Sequence, residues 1–265
     1  MFAPGGLAGE DTLTGISAGH GTRMDGTIGG YAPNAPGGAF YGVAPKVPIV
    51  PVRITDSVWI NHVQPQFGAA VDHLVDTVKV SVINVSLGVF GAVVVKAMRN
   101  AVNKAYEAGV IMVCAAGNHV NSVVAPARLS RTLAIAGVNQ DLNWWSGSSY
   151  GPEVDISAPA VNLRRASTTN KGKYEYGAGG DGTSYATAMT SGAAALWLQK
   201  NAAQLALDYP QPWQRVEAFR TLLMQTTIKP AHWQPGSFGS GVLDVHALLS
   251  APLPPAATLV MAAPV

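Results

Sequence analysis

The chain predicts an α/β fold: a mainly parallel sheet with helices on both faces. Three observations carry this. Apolar runs of strand length, rich in β-branched residues, recur at residues 49–54, 78–87, 110–115, 133–138 and 154–158. Between them, residues 64–75 and 91–108 place apolar side chains at helical spacing. The run VKVSVINVSL at 78–87 lacks the alternation of a sheet with one wet face, so it reads as covered on both sides. Strands that alternate with helices through short turns pair in parallel. Such sheets bind ligands beyond the carboxyl ends of their strands, where this chain carries SLG at 86–88 and AAGN at 115–118.

The first nineteen residues are glycine-rich and contain no strand. GHGTRMDGTIGGYAP follows, a helix with His20 in its first turn. Its glycines would each weaken a solvated helix by up to about 1 kcal/mol relative to alanine, so they point to close backbone packing. Residues 42–54 give a turn and then a strand over 49–54. In the helix at 64–75, Phe67, Val71, Leu74 and Val75 share a face. The helix at 91–108 ends at Gly109 as a C′ glycine. At 180–198, GDGTSYATAMTSGAAALWL reads as a glycine-rich turn that delivers Ser184 to a helix of small residues, uncharged before Lys200 and therefore buried on most sides. A helix at 212–225 and a turn, strand and helix over 238–249 complete the series. Residues 251–265, Pro and Ala without charge, read as a linker or loose tail after a domain over 1–250.

Composition bounds the function. With 265 residues, 48% hydrophobic and 12% charged, the chain can bury a large core as one large domain, or two at most. A net charge of +2 provides no surface basic enough for nucleic acid. One cysteine, Cys114, excludes an internal disulfide framework and a Cys-based zinc cluster; set in VIMVCAAG, it reads as a buried apolar side chain. No apolar run reaches membrane-spanning length, and MFAPGGLAGE lacks the basic and apolar regions of a signal peptide. His62, His73, His119, His232 and His246 show no paired metal-ligand spacing, and no calcium-loop pattern occurs, so no metal site is read from the residues.

Taken alone, Ser184 is open to three readings. A helix N-terminus leaves N–H groups unpaired and carries partial positive charge, which suits a nucleophile that develops negative charge. Thr183 or Ser184 also suits a plain N-cap. GAGGDG at 177–182 fits the dinucleotide pattern, but no second strand with an acidic residue follows it. Likewise His20 alone reads equally as a structural histidine, and Asn118 as a turn residue.

Taken together, His20 in HGT, then INVSLG, AAGN and GTSYA, in that order, resemble the subtilisin-like serine proteases from about residue 15 to residue 249. GVAPKVPIVPVRI, VDISAPAV and FGSGVLDVHALL add to the likeness. The resemblance implies a three-layer αβα sandwich and an endopeptidase with Ser184 as nucleophile, His20 as general base and Asn118 as oxyanion donor. It also implies that Ser86, Leu87 and Gly88 pair with an extended substrate, while Ala115, Ala116 and Gly117 line the pocket before the cleaved bond. The partner implied is a peptide or protein substrate, met by a monomer in an extracellular or cell-envelope setting, with neither nucleic acid nor membrane. No cofactor is evident, although the family often binds calcium.

Two departures qualify the resemblance. The family's aspartate closes an apolar strand well before the histidine; no such strand is present, so the domain reads as N-terminally incomplete, and Asp11 in GEDTLTG is a weak candidate. In subtilisin itself, loss of that aspartate lowers kcat about 3 × 10⁴-fold, so a chain without one is expected to be a poor protease. The second departure is Ala188, where the family's GTSxAxP carries proline. The alternative function is a relative that keeps the cleft and binds peptides without cutting them.

Overall fold

The computed structural model describes residues 17–32, 39–40, 42–91, 93–168 and 174–265; Asp11 lies outside them. Helix α1 (His20–Gly29) opens the described chain and is followed by the short antiparallel pair β1 (Tyr31–Ala32) and β2 (Ala39–Phe40). Next come α2 (Gln64–His73), prolonged by a π turn over Leu74–Val78, then β3 (Val82–Val85), α3 (Lys96–Glu107), β4 (Ile111–Ala115), β5 (Leu133–Val138) and β6 (Ile156–Pro159). An antiparallel hairpin, β7 (Leu163–Thr168) and β8 (Tyr174–Gly180), precedes α4 (Thr183–Asp208), α5 (Pro212–Gln225), α6 (Pro235–Phe238) and α7 (Val245–Ser250).

Strands β3, β4, β5 and β6 pair in that order, all parallel. Successive strand side chains point to opposite faces, and the core divides accordingly. Met112, Cys114, Ala134 and Ala136 join α2 and α3, including Phe67, Val71, Met98 and Val102. Ile111, Val113, Leu133 and Ile135 face Trp197 of α4 and Phe219 and Leu223 of α5. A sheet buried on both faces between helices gives the expected three layers. Gly109 stops α3 with φ +74°, a left-handed conformation that a side chain would strain.

Several sequence-based boundaries change. Residues 49–54 form no strand: the segment is irregular and enters no ladder, and Pro48 and Pro51 have no N–H to contribute to one. The strand expected over 78–87 contracts to β3, because the π turn carries helical structure through Val78. The expected 91–108 helix begins at Lys96. The β7–β8 hairpin was not foreseen, and Gly177 to Gly180 lie within β8, not in a phosphate-binding turn. Helix α4 runs 26 residues, past Lys200. The strand expected within 238–249 reduces to bridges from Val242 to Ile228 and Ser157.

Residues 251–265 differ most from a loose tail. Tyr209 Oη donates to Pro254 O at 2.7 Å, Ala262 N to Tyr106 Oη at 2.8 Å, and Arg131 Nε to Ala262 O at 3.1 Å. Asn103 brackets Val265 by accepting from its N–H and donating to its carbonyl, while Leu253, Leu259 and Ala262 pack on the core.

Candidate active site

The site gathers at the carboxyl ends of β3 and β4, against the N-terminus of α4. His20 is the first residue of α1, after Gly19 in the left-handed conformation. Helix α1 lies close to β7 and α4. A Cβ on Gly26 would stand 2.6 Å from Ala166 Cβ, a distance no side chain tolerates, so this glycine serves close approach, as its sequence suggests. Met24 and Ile28 of α1 pack on Tyr185 and Ala188 of α4. Ala188 is thus a buried contact between the helices that carry His20 and Ser184.

Ser184 is buried in the first turn of α4, where backbone N–H groups have no acceptor within the helix. Neither Thr183 nor Ser184 is the N-cap. That position falls to Gly182, with φ 153°, and no side-chain cap bond forms. His20 Nε2 lies 3.2 Å from Ser184 Oγ, although 164 positions separate the two residues.

Asn118 follows β4. Its Oδ1 accepts from Thr183 N at 2.9 Å and from Thr183 Oγ1 at 2.8 Å. With the oxygen so engaged, Nδ2 lies on the Gly182 side, 3.3 Å from where a Cβ on Gly182 would stand. Glycine at 182 keeps that space clear. Thr183 Oγ1 also accepts from Gly117 N at 3.3 Å, tying the β4 loop to the α4 turn.

Ser86 directly follows β3, beside the pair. Its Oγ donates to Ser184 O at 3.1 Å, and its carbonyl receives Ser184 Oγ at 3.5 Å. Asn84 Nδ2 donates to Ser86 Oγ and Asn84 Oδ1 accepts from Ser191 Oγ of α4, both at 3.0 Å. This chain of bonds pins the start of α4 to the end of β3. Sequence reasoning missed Thr183, Asn84 and Ser191. The usable signal for Asn84 was an amide set in an otherwise apolar strand, two residues before Ser86.

The remaining predicted residues are placed less simply. Gly88 lies next to the site, but its N–H donates to Val58 O at 2.9 Å and its carbonyl accepts from Ile60 N at 3.0 Å. Ala115, Ala116 and Gly117 are buried, with Ala116 among the core residues on the α2 and α3 side. Gly117 O accepts from Ser149 N. Thus the structure brings His20, Ser184, Asn118 and Ser86 together, while Gly88 is held by a neighbouring segment.

Among the described residues, no three His, Cys, Asp or Glu side chains gather as metal ligands, and no helix is long and apolar enough to cross a membrane. Cys114 is buried as expected, and burial pushes its thiol well above the ordinary range.

Comparison with known proteins agrees with this geometry. Residues 9–242 match the Subtilase family, Peptidase_S8. The thermostable alkaline protease of Halalkalibacterium halodurans is 36% identical over 182 residues, covering 67% of this chain and 46% of that protein. The minor extracellular protease Epr of Bacillus subtilis is 34% identical over 188 residues, covering 70% of this chain and 27% of that protein. The chain therefore spans half or less of the length of these two relatives. Among solved structures, MycP1 from the ESX-1 type VII secretion system superposes with a TM-score of 0.72 at 23% identity, over 94% of this chain and 77% of its own, a likeness of fold. With that fold, with His20 against Ser184, and with the family match spanning most of its length, the chain belongs to the subtilase family of serine proteases.

Proposed function

We propose that this chain is the catalytic unit of a subtilisin-type serine endopeptidase that cleaves peptide bonds through an acyl-enzyme. The observation that carries this is the 3.2 Å approach of His20 Nε2 to Ser184 Oγ. A hydroxyl is a weak nucleophile at neutral pH, so attack on a carbonyl needs a base at that distance. His20 takes the Ser184 proton as Oγ bonds to the carbonyl carbon, and returns it to the leaving amine. Water then repeats the sequence on the ester. The carbonyl oxygen becomes an oxyanion, for which Asn118 Nδ2 and the Ser184 N–H are the donors proposed.

An extended substrate would add along Ser86, Leu87 and Gly88, with Ala115, Ala116 and Gly117 behind the residue before the scissile bond. Pairing at Gly88 exchanges its two bonds with Val58 and Ile60 for two with the substrate. The name of one relative, the minor extracellular protease Epr, supports an extracellular or cell-envelope setting. Calcium, which the family often binds, is assigned no residue among those described.

The test is labelling of the full chain with a fluorophosphonate, followed by mass spectrometry of the labelled peptide. The reading expects slow labelling of Ser184, since the sequence carries no evident aspartate-bearing strand before His20, with none in Ser184→Ala and a rate lower again in His20→Ala. A folded chain that takes no label would fit the alternative, a peptide-binding relative that does not cut.

A further inference from the structure

Beyond β3 the backbone pairs to alternate sides. Gly88 donates to Val58 O at 2.9 Å and accepts from Ile60 N at 3.0 Å, so both its groups face residues 58–60. Val89 turns the other way and exchanges two bonds with Ala125, at 2.7 and 3.1 Å. Phe90 returns to the first side. Its N–H donates to Asn61 Oδ1 at 3.2 Å and its carbonyl accepts from Asn61 Nδ2 at 2.8 Å, the two bonds that a neighbouring strand would supply. Ser86 shares this parity, and its carbonyl is the one that receives Ser184 Oγ. The edge that begins at the nucleophile is thus already occupied, at Gly88 and Phe90, by the chain itself.

The occupant holds this edge lightly. Trp59 opposite Gly88 is an isolated bridge rather than part of a ladder, and at Phe90 an amide side chain stands in for backbone. The rings of Trp59 and Phe90 lie with centroids 6.1 Å apart at 53°, each residue 44% exposed. A few bonds with one side toward solvent open at lower cost than a buried ladder. Ile60 is fully buried and tethers the segment, so it returns when the edge is vacated.

We propose that residues 58–61 form a latch that closes the substrate edge in cis, so that a substrate extended on the N-terminal side of its scissile bond must expel them while a short one need not. The proposal rests on the reading of Ser184 and of the Ser86 to Gly88 edge given above. Strand pairing repeats every second residue, so a substrate residue opposite Ser86 puts the one two positions nearer its N-terminus opposite Gly88. Pairing there gains two bonds and forfeits the two at Gly88, the two at Asn61 and the ring contact. Apparent affinity for a long substrate is reduced by the fraction of molecules with the latch open. The latch thereby makes the chain selective for peptides with one or two residues before the cut.

The test uses the full chain carrying Ser184→Ala, which leaves peptides uncut. Two peptides with fluorescein on lysine, Ala-Leu-Gly-Gly-Lys and Ala-Ala-Ala-Ala-Leu-Gly-Gly-Lys, are titrated into it and followed by anisotropy. Adding Asn61→Ala should tighten the long peptide about fivefold or more and leave the short one unchanged, with faster hydrogen exchange at the Gly88 and Phe90 N–H of the free chain. Trp59→Ala should act in the same direction, and a gain in either variant supports the latch. A contact that merely held structure would give the opposite sign, since loosening a binding edge weakens binding. No gain for the long peptide in both variants, or the same gain for both peptides, would overturn the proposal. Binding needs no attack by Ser184, so a latch that fails here and a serine that takes no fluorophosphonate label are separate results.

Discussion

Asn118 owes its aim to a neighbour. An amide in a turn can present either end, and only the two bonds from Thr183 to Oδ1 direct Nδ2 toward the cleft. If Nδ2 holds the oxyanion, Asn118→Ala should lower kcat about 10²–10³-fold, the loss measured when subtilisin is stripped of such a donor, with KM little changed. Steady-state kinetics on a peptide substrate checks this, and equal kcat would remove Asn118 from the mechanism. Asp155 makes the contrasting case, a buried charge that holds structure. Burial pushes its carboxyl pKa up and Arg220 opposes the rise, with Oδ1 3.4 Å from Arg220 Nη1 and Oδ2 accepting from Ala134 N at 2.7 Å. Asp155→Asn leaves the buried Arg220 cation with Glu217, 3.7 Å from Nε, as its remaining counter-charge. Stability in urea should fall by about 3–5 kcal/mol; a loss below about 1 kcal/mol would show that the pair matters little.

At the scale of elements, α4 joins site to core. Its first turn holds Ser184, its middle packs small residues against the sheet, and Trp197 meets Phe219 of α5 with ring centroids 5.3 Å apart. Two of its buried hydroxyls return to the helix: Thr187 and Thr190 each donate to the carbonyl four residues earlier. At its far end Tyr209 holds the C-terminal run. Burial, and then Asp208, push the Tyr209 phenol from 10.0 up to about 12, and burial raises Tyr106 as well. The folded state therefore keeps protons that the unfolded state has lost. Stability from this group is complete below about pH 10 and disappears as pH rises through about 12. Residues 251–265 should loosen over that window, seen as late phenolate absorbance at 295 nm together with new protease cuts after Ala251. In Tyr209→Phe the Tyr209 share of the late titration should vanish; its persistence would assign the shift to another tyrosine.

At the scale of the molecule, the sheet was legible because each of β4, β5 and β6 is a short apolar run bounded by turns, and length with flanking turn residues identifies such runs. The family was legible because HGT, INVSLG, AAGN and GTSYA each preserve local geometry at a site residue. Residues 49–54 were misread because β-branched composition marks a segment fit to pair and says nothing about whether a partner stands beside it. Residues 251–265 were misread for the opposite reason: their docking depends on Tyr106, Asn103, Arg131 and Tyr209, all distant in sequence. By itself the sequence determined the α/β class, the order of the main helices and strands, and which serine and histidine to examine, since these follow from short-range pattern. Only the tertiary structure decided that His20 reaches Ser184, that Thr183 aims Asn118, and that residues 251–265 dock on the core, because each depends on contacts between segments tens to hundreds of residues apart, where local pattern carries no distance.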